Sequence, residues 1–413
     1  MTPLERALLD GVTVVPGDGS AAIEDAVVRL DAHGIVQSIE PGGSPSRLVL
    51  APPAVDLHLD VLTERRRPRA GVVLELEQTV ATLDAELVAS GIGTVCIAAR
   101  FEDEPAKGVE MADALALCDT VERLAPALVC DWRVHARVEV TEDEGPAALE
   151  RALERTSRIA LISVMDHSAE RSRFSSYEAH RAFYSEDWGL PPDEVERILA
   201  RKRAGAEGAA QRRARIAEIA HGNGVVLATH DDRTAEDVRS ANGLGAAIAE
   251  FPLSLDTARA ARDLGLVTVL GAPNAVRGRS TAAGNLLVSD AVAADACDVL
   301  CSDYLPSALL RAPFVLAERD GVPLADAVAL TTTAPARALG LAPGAIAEGR
   351  PLDAVATFRT ATDAHAVAMW RDGRLIHLHL RQAPSANGRP PHRARVAATP
   401  SAGAPRLPVR QAR

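Results

Sequence analysis

The sequence predicts a (β/α)8 TIM-type barrel carrying a small β-sandwich domain formed from both termini. Two observations point to the barrel: eight short apolar runs alternate with helical patterns, and residues able to ligate a metal stand at the ends of several of those runs. A third points to the smaller domain, because turn-punctuated strand patterns occur near both ends of the chain.

The elements follow in order. Residues 1–52 contain VTVV, a PGDGS turn and DAVVRLDAHGIVQSIEPG, whose alternation and Gly/Asp turns predict a small antiparallel sheet. The same pattern returns within 340–382 as PLDAVATFR and AVAMWRDGRLIHLHL, so the two pieces are expected to form one module. Residues 53–339 hold the barrel. Its eight runs are AVDLHLD, TVCIAA, RVHARVEV, LISVMDH, VVLATHDD, AAIAEFP, VTVLGAP and DVLCSD, separated by stretches such as PAALERALERTS and SLDTARAARDLG. Eight strand–helix units over roughly 280 residues match the usual barrel size. A doubly wound sheet is the alternative, but no G-x-G-x-x-G turn follows any run. Residues 168–220, between the fourth and fifth runs, exceed an ordinary crossover; they are charged and helical, and suit a lid or a subunit contact. Residues 383–413 are rich in Pro, Ala and Arg with few large apolar groups, the composition of a flexible tail.

Composition narrows the function classes. A net charge of −11 argues against nucleic acid as a partner, since phosphate backbones reward a basic surface. No apolar run approaches the ~18 residues that would suggest a membrane span. The amino terminus lacks a basic start followed by an apolar stretch, so no secretory signal is visible and a cytoplasmic location is expected. Five scattered cysteines (Cys96, Cys118, Cys130, Cys297 and Cys301) fit reduced thiols, and the spacing of Cys297 and Cys301 makes a poor zinc site. A homo-oligomer is left open.

In such a barrel the carboxyl ends of the strands converge on the active site. His58 and Asp60 stand on the first run, Glu139 on the third, His167 on the fourth, His230 on the fifth and Asp303 at the end of the eighth. Strand alternation is expected to point Asp56, His58 and Asp60 inward, and Val55, Leu57 and Leu59 toward the helices. A lone histidine at a strand end is commonly a hydrogen-bonded structural residue. Six ligand-type groups on five strands are hard to obtain that way. Imidazoles with carboxylates suit zinc first, with manganese or iron as alternatives. His135 is in phase with Glu139 but deeper, and reads as structural. His221 reads as a helix end, and His377 and His379 belong to the terminal module.

AVDLHLD resembles the first-strand D-x-H-x-H signature of the amidohydrolase superfamily. More narrowly, DLHLDVLTERRRPRAGV, LISVMDHSAERSRF, ATHDDRTAEDV, AEFPLSLDTARAARDLGL, LGAPNAVRGRS and CSDYLPSALL are similar to the diphosphatases that act on α-D-ribose 1-methylphosphonate 5-triphosphate. That family resembles this chain in having Asp where most of the superfamily has a second His. The chain departs from the pattern at APPAVD, where a Gly is usual, and at VRGRSTAAGN, where Arg279 and extra small residues stand.

The resemblance implies a metal-dependent hydrolase that cleaves the triphosphate of a small phosphorylated ribose to the 5-phosphate and pyrophosphate. It also implies two divalent ions activating a water whose proton Asp303 accepts. Many superfamily members bridge their metals with a carboxylated lysine on a barrel strand. Of the two lysines, Lys107 follows the second run and Lys202 falls in a charged helical segment, so Glu139 remains as the bridge. Arginine forks suited to phosphate stand at Arg67 and Arg69 within the 65–69 cluster, at Arg173 beside Arg171, and at Arg277 beside Arg279. Hydrolysis of a C–N bond, as in a deaminase or deacetylase, is the alternative chemistry. A catalytically silent subunit of a phosphonate-degrading complex is the non-enzymatic one.

Overall fold

The computed structural model describes residues 8–104, 108–168, 177–187, 189–282, 284–360 and 363–379. The expected tail at 383–413, together with Lys107, Arg171 and Arg173, lies outside the described residues.

The amino-terminal strands β1 (Leu8–Val14), β2 (Ile23–Leu30), β3 (Val36–Pro41) and β4 (Leu48–Ala51) precede the barrel strands. The latter are β5 (Ala54–Leu59), β6 (Ile92–Phe101), β7 (Asp131–Glu139), β8 (Ile159–Met165), β9 (Val226–His230), β10 (Ile248–Glu250), β11 (Val267–Gly271) and β12 (Val299–Cys301). After them come β13 (Ala354–Arg359), β14 (Ala364–Arg371) and β15 (Arg374–Leu378). Each of the eight apolar runs overlaps one barrel strand.

β5 to β12 pair in sequence order, all parallel. The barrel closes where Leu59 bridges to Asp303: the Asp60 N–H donates to the Asp303 carbonyl at 2.7 Å, and the Asp303 N–H to the His58 carbonyl at 2.9 Å. The other seven strands form one sheet in the order β15-β14-β13-β4-β1-β2-β3. Val12, Val28, Leu50, Ala356 and Trp370 from both halves of it share one core, consistent with a sandwich-like module built from both termini.

Local sequence explains how the helices stack outside. Val80, Leu83 and Leu87 recur at helical spacing on Leu76–Ala89 and are buried on the barrel wall. Beneath, the buried Asp84 carboxylate accepts from the Cys130 N–H and the Trp132 indole N–H, tying that helix to the start of β7. After β9, Thr234 and Asp237 form a capping box that starts helix Ala235–Gly243; after β10, Ser254 caps Leu255–Asp263. Short loops into capped helices hold the ends of both strands in place.

One expectation about β5 is corrected. Val55 and Leu57 pack with Leu161, Ala228, Ile248, Val269, Val299 and Cys301 inside the barrel rather than against the helices. Asp56 instead accepts from the backbone N–H and the hydroxyl of Ser302. Simple alternation fails because the β5–β6 ladder shifts register between Asp56 and Leu59. The shift returns His58 and Asp60 to the site while turning Asp56 away from it.

Among the described residues of the long connection, helices span Tyr177–Ala182, Pro192–Gly205 and Ala209–Gly222, with a π turn over Phe183–Asp187. Tyr184, Val195, Ile198 and Leu199 give this insert a small core of its own. It lies hard against the barrel: a Cβ on Gly205 would stand 2.1 Å from the Thr141 carbonyl oxygen. No helix among the described residues is long and apolar enough to cross a membrane.

Candidate metal centre and active site

The site is built at the carboxyl ends of the barrel strands. Three non-glycine residues there adopt left-handed backbone: Asp231 after β9, Phe251 after β10 and Asp303 after β12, with φ of 56°, 52° and 55°. Each is held by a ladder hydrogen bond to the next strand, at 2.9, 2.8 and 2.9 Å respectively. Such conformations persist where surrounding structure fixes them, and they gather at functional sites.

Two imidazoles form the centre of the arrangement. The His58 and His230 rings stack with centroids 5.7 Å apart at 15°. Glu250, fully buried at the end of β10, lies 3.2 Å from His58 Nδ1 and 3.3 Å from His230 Nδ1. Burial pushes the Glu250 carboxyl up, but His135, His58 and His230 outweigh it and hold it well below the usual carboxylate range. Ser163 donates to the same carboxylate at 2.5 Å and is hydrogen-bonded to His135 Nε2. Burial takes the His135 pKa down to about 3, so this deep imidazole is neutral. Burial also lowers that of His230.

A second grouping stands beside the first. Glu139 Oε2 is 2.7 Å from His167 Nδ1, and Oε1 accepts from the Thr141 N–H and hydroxyl. Burial would raise the Glu139 pKa, but the nearby Lys202 ammonium and His167 bring it down to about 2. Lys202 comes from the insert helix Pro192–Gly205. It is buried, with Nζ 3.6 Å from Glu102 and 3.9 Å from Glu104. Burial opposes its charge, yet Glu139, Glu102 and Glu104 together shift its pKa upward. A carboxylated lysine requires a neutral amine, so these carboxylates disfavour that role for Lys202. Its burial beside the site was nevertheless missed in the sequence, where it read only as part of a charged helix.

Between the groupings lies Arg137, one of three inward residues on β7 with His135 and Glu139. Its guanidinium pairs with Asp60 and donates to His230 Nε2 at 3.1 Å. Burial raises the Asp60 pKa, but Arg137 and Arg100 more than offset it, keeping the group ionised.

The donor atoms fit a metal. Those of His58, His230 and Glu250 lie within 4.8 Å of one another, as do those of His167, His230 and Asp231, and those of Glu102, Glu139 and His167. His230 and His167 each belong to two of these sets, which makes the donor array continuous. Asp60 and Asp303 join His58 and His230 around a cavity of about 160 Å³. Arg137, Arg277, Arg279, Ser280, Thr281 and Asn285 line the same cavity, with Arg277 donating to the Tyr304 hydroxyl at 2.9 Å. Arg67 lines a smaller adjoining cavity beside Asp60, and Arg69 is exposed outside both. Arg65 and Arg66 pair with Glu86 and Asp113. Glu250 and Arg137 were missed in the sequence. The signals available were a carboxylate inside an apolar run and three polar residues alternating along one buried strand.

The α-D-ribose 1-methylphosphonate 5-triphosphate diphosphatase of Escherichia coli (strain K12) is 32% identical over 333 residues, covering 79% of this chain and 88% of that protein. The chain belongs to this diphosphatase family. It is a hydrolase. No family model matches. Solved structures agree on the fold: N-acetyl-D-glucosamine-6-phosphate deacetylase from Mycobacterium smegmatis matches with a TM-score of 0.57 at 17% identity, covering 89% of this chain and 99% of that one. A 5-methylcytosine deaminase from Klebsiella pneumoniae matches with a TM-score of 0.56 at 15% identity, covering 92% and 99%. At these identities they speak for the fold alone. The chain thus shares its fold with a deacetylase and a deaminase.

Proposed function

We propose that the chain cleaves α-D-ribose 1-methylphosphonate 5-triphosphate to the 5-phosphate and pyrophosphate. The observation that carries this is the identity to the Escherichia coli diphosphatase across most of both chains. A cavity that places Arg277 and Arg279 beside the proposed metal ligands supports it, because arginine forks match phosphate oxygens.

The proposed ligands are His58, Asp60, Glu139, His167, His230 and Asp303. Zinc is the first expectation, with manganese or iron as alternatives, and the span of the donor array suits two ions. A divalent ion held there supplies Lewis acidity, lowering the pKa of water and drawing charge from a phosphoryl oxygen. Asp303 takes a proton from the attacking water, whose oxygen bonds to the phosphorus nearest the ribose. The bond from that phosphorus to the bridging oxygen breaks, and pyrophosphate departs into the arginine-lined side of the cavity. Arg277 and Arg279 hold the outer phosphates, Arg67 acts from the adjoining cavity, and the exposed Arg69 attracts the polyanion over distance.

The test is incubation of the metal-loaded protein with ribose and nucleoside triphosphates, measuring pyrophosphate and orthophosphate separately. Pyrophosphate in step with the 5-phosphate is expected. Release of orthophosphate alone, or turnover only of amide or amidine substrates, would overturn the proposal.

A further inference from the structure

Arg277 and Tyr304 reach one cavity from the connections after β11 and β12, and the bond between them has a direction. We propose that Tyr304 is a substrate-binding residue: its hydroxyl accepts from Arg277 and donates its own hydrogen to an oxygen of the outer phosphates, so that phenol and guanidinium grip the leaving pyrophosphate together. The proposal rests on the reading above that these phosphates occupy the arginine-lined side of the cavity.

A guanidinium only donates, so the 2.9 Å contact from Arg277 Nη1 uses a lone pair of the Tyr304 oxygen and leaves the hydroxyl hydrogen unused. Among the described residues that hydrogen has no acceptor, and the Arg277 guanidinium has no carboxylate partner. Tyr304 is 39% exposed and lines the cavity beside Arg277 and Arg279. Water can take the hydrogen in the free protein, but a phosphate oxygen carries charge and is the stronger acceptor once substrate fills the cavity. Both partners are held from behind. The Leu305 N–H donates to the Ser302 carbonyl at 2.9 Å, closing a turn with Asp303 and Tyr304 at its centre. The same turn thus carries the proposed base and, one residue on, a donor for the leaving group. Arg277 ends the helix Ala272–Arg277. Asn274 of that helix donates to the Leu286 carbonyl at 2.9 Å and accepts from the Val288 N–H at 3.1 Å, pinning the far end of the segment that carries Arg279 and Ser280.

Binding of methylenediphosphonate, a pyrophosphate analogue with an unhydrolysable carbon bridge, to metal-loaded full-length protein tests this without reference to turnover. Calorimetric titrations compare wild type, Tyr304→Phe, Arg277→Ala and the double variant at equal metal content. Tyr304→Phe removes the hydroxyl and leaves the charge of the cavity untouched, so a loss reports the hydrogen bond and not the field. About tenfold weaker binding is expected, as for a hydrogen bond to a charged group. In the Arg277→Ala background the same substitution should have a clearly smaller effect, because the hydroxyl has lost the neighbour that orients it. Wild-type affinity in Tyr304→Phe would overturn the proposal, and so would a full tenfold loss in the Arg277→Ala background. Wild-type protein that does not bind the analogue would overturn it together with the reading of the cavity. The expected binding pattern beside a failed diphosphatase assay would count against the substrate and not against Tyr304.

Discussion

Arg277 and Asp303 face the same cavity but are asked to do different things, and kinetics can separate them. If Arg277 holds an outer phosphate as proposed, Arg277→Ala removes a contact made in ground and transition states alike, so KM for the triphosphate should rise while kcat changes little. A charge-assisted contact is worth about 1.5–3 kcal/mol, which corresponds to a roughly tenfold to hundredfold rise. Arg69→Ala should lower kcat/KM only at low ionic strength, as expected of long-range attraction; a change that survives at high salt would give Arg69 a direct contact. Asp303→Asn keeps shape and a coordinating oxygen but cannot take a proton. Metal content should stay near the wild-type value while kcat falls by about 10²–10⁴-fold. Full recovery with added metal would remove Asp303 from proton transfer. At this scale the sequence placed His58, Glu139 and His230 at or beside strand ends, where the structure has them. It hid Glu250 and Arg137, whose roles depend on which neighbours the barrel brings to them.

The insert helix Pro192–Gly205 reaches the centre through Lys202, and the strength of that link can be measured. Lys202→Met leaves Glu102, Glu104 and Glu139 together without their buried cation. Removing one partner from a buried ion cluster costs roughly 3–5 kcal/mol, so denaturant midpoints should fall substantially and proteolysis within the insert should accelerate. A variant as stable as wild type would show that the carboxylates have other compensation. Strands and helices were legible because period and capping are local: every apolar run overlaps a strand, and Thr234 and Ser254 start helices where their chemistry favours it. The facing of β5 was not legible. A ladder shift is set by the partner strand, and nothing in AVDLHLD announces it.

For the molecule as a whole, buried titratable groups make metal-free protein acid-labile, with a definite sign. His135 binds its proton near pH 3 when folded, against 6.5 for the unperturbed side chain. The unfolded chain therefore takes up a proton first, and stability falls as pH drops from 6.5 toward 3. Glu139, at about 2 against 4.5, adds loss over the lower part of the same range. Chemical denaturation of chelated protein at a series of pH values should show this decline. A flat profile between pH 6.5 and 4 would mean that His135 is protonated in the folded state. The division into a barrel and a terminal module was visible because alternation and turn residues mark the small sheet at both ends, whereas closure of the barrel through Leu59 and Asp303 had no marker in the sequence.

That terminal sheet also constrains the order in which the protein can be made. β4 pairs with β1 on one side and with β13 on the other, so Ala51 meets Val355 only after the whole barrel has been translated. At about 5–20 residues per second, the intervening ~300 residues take roughly 15–60 s to synthesise. Throughout that interval the first four strands have an open edge at β4, with Val49 and Leu50 waiting for a partner. An unpaired apolar edge is a template for association between chains. Nascent chains halted before β13 should therefore be captured by chaperones or aggregate on release, and extending the halt past Arg359 should relieve both.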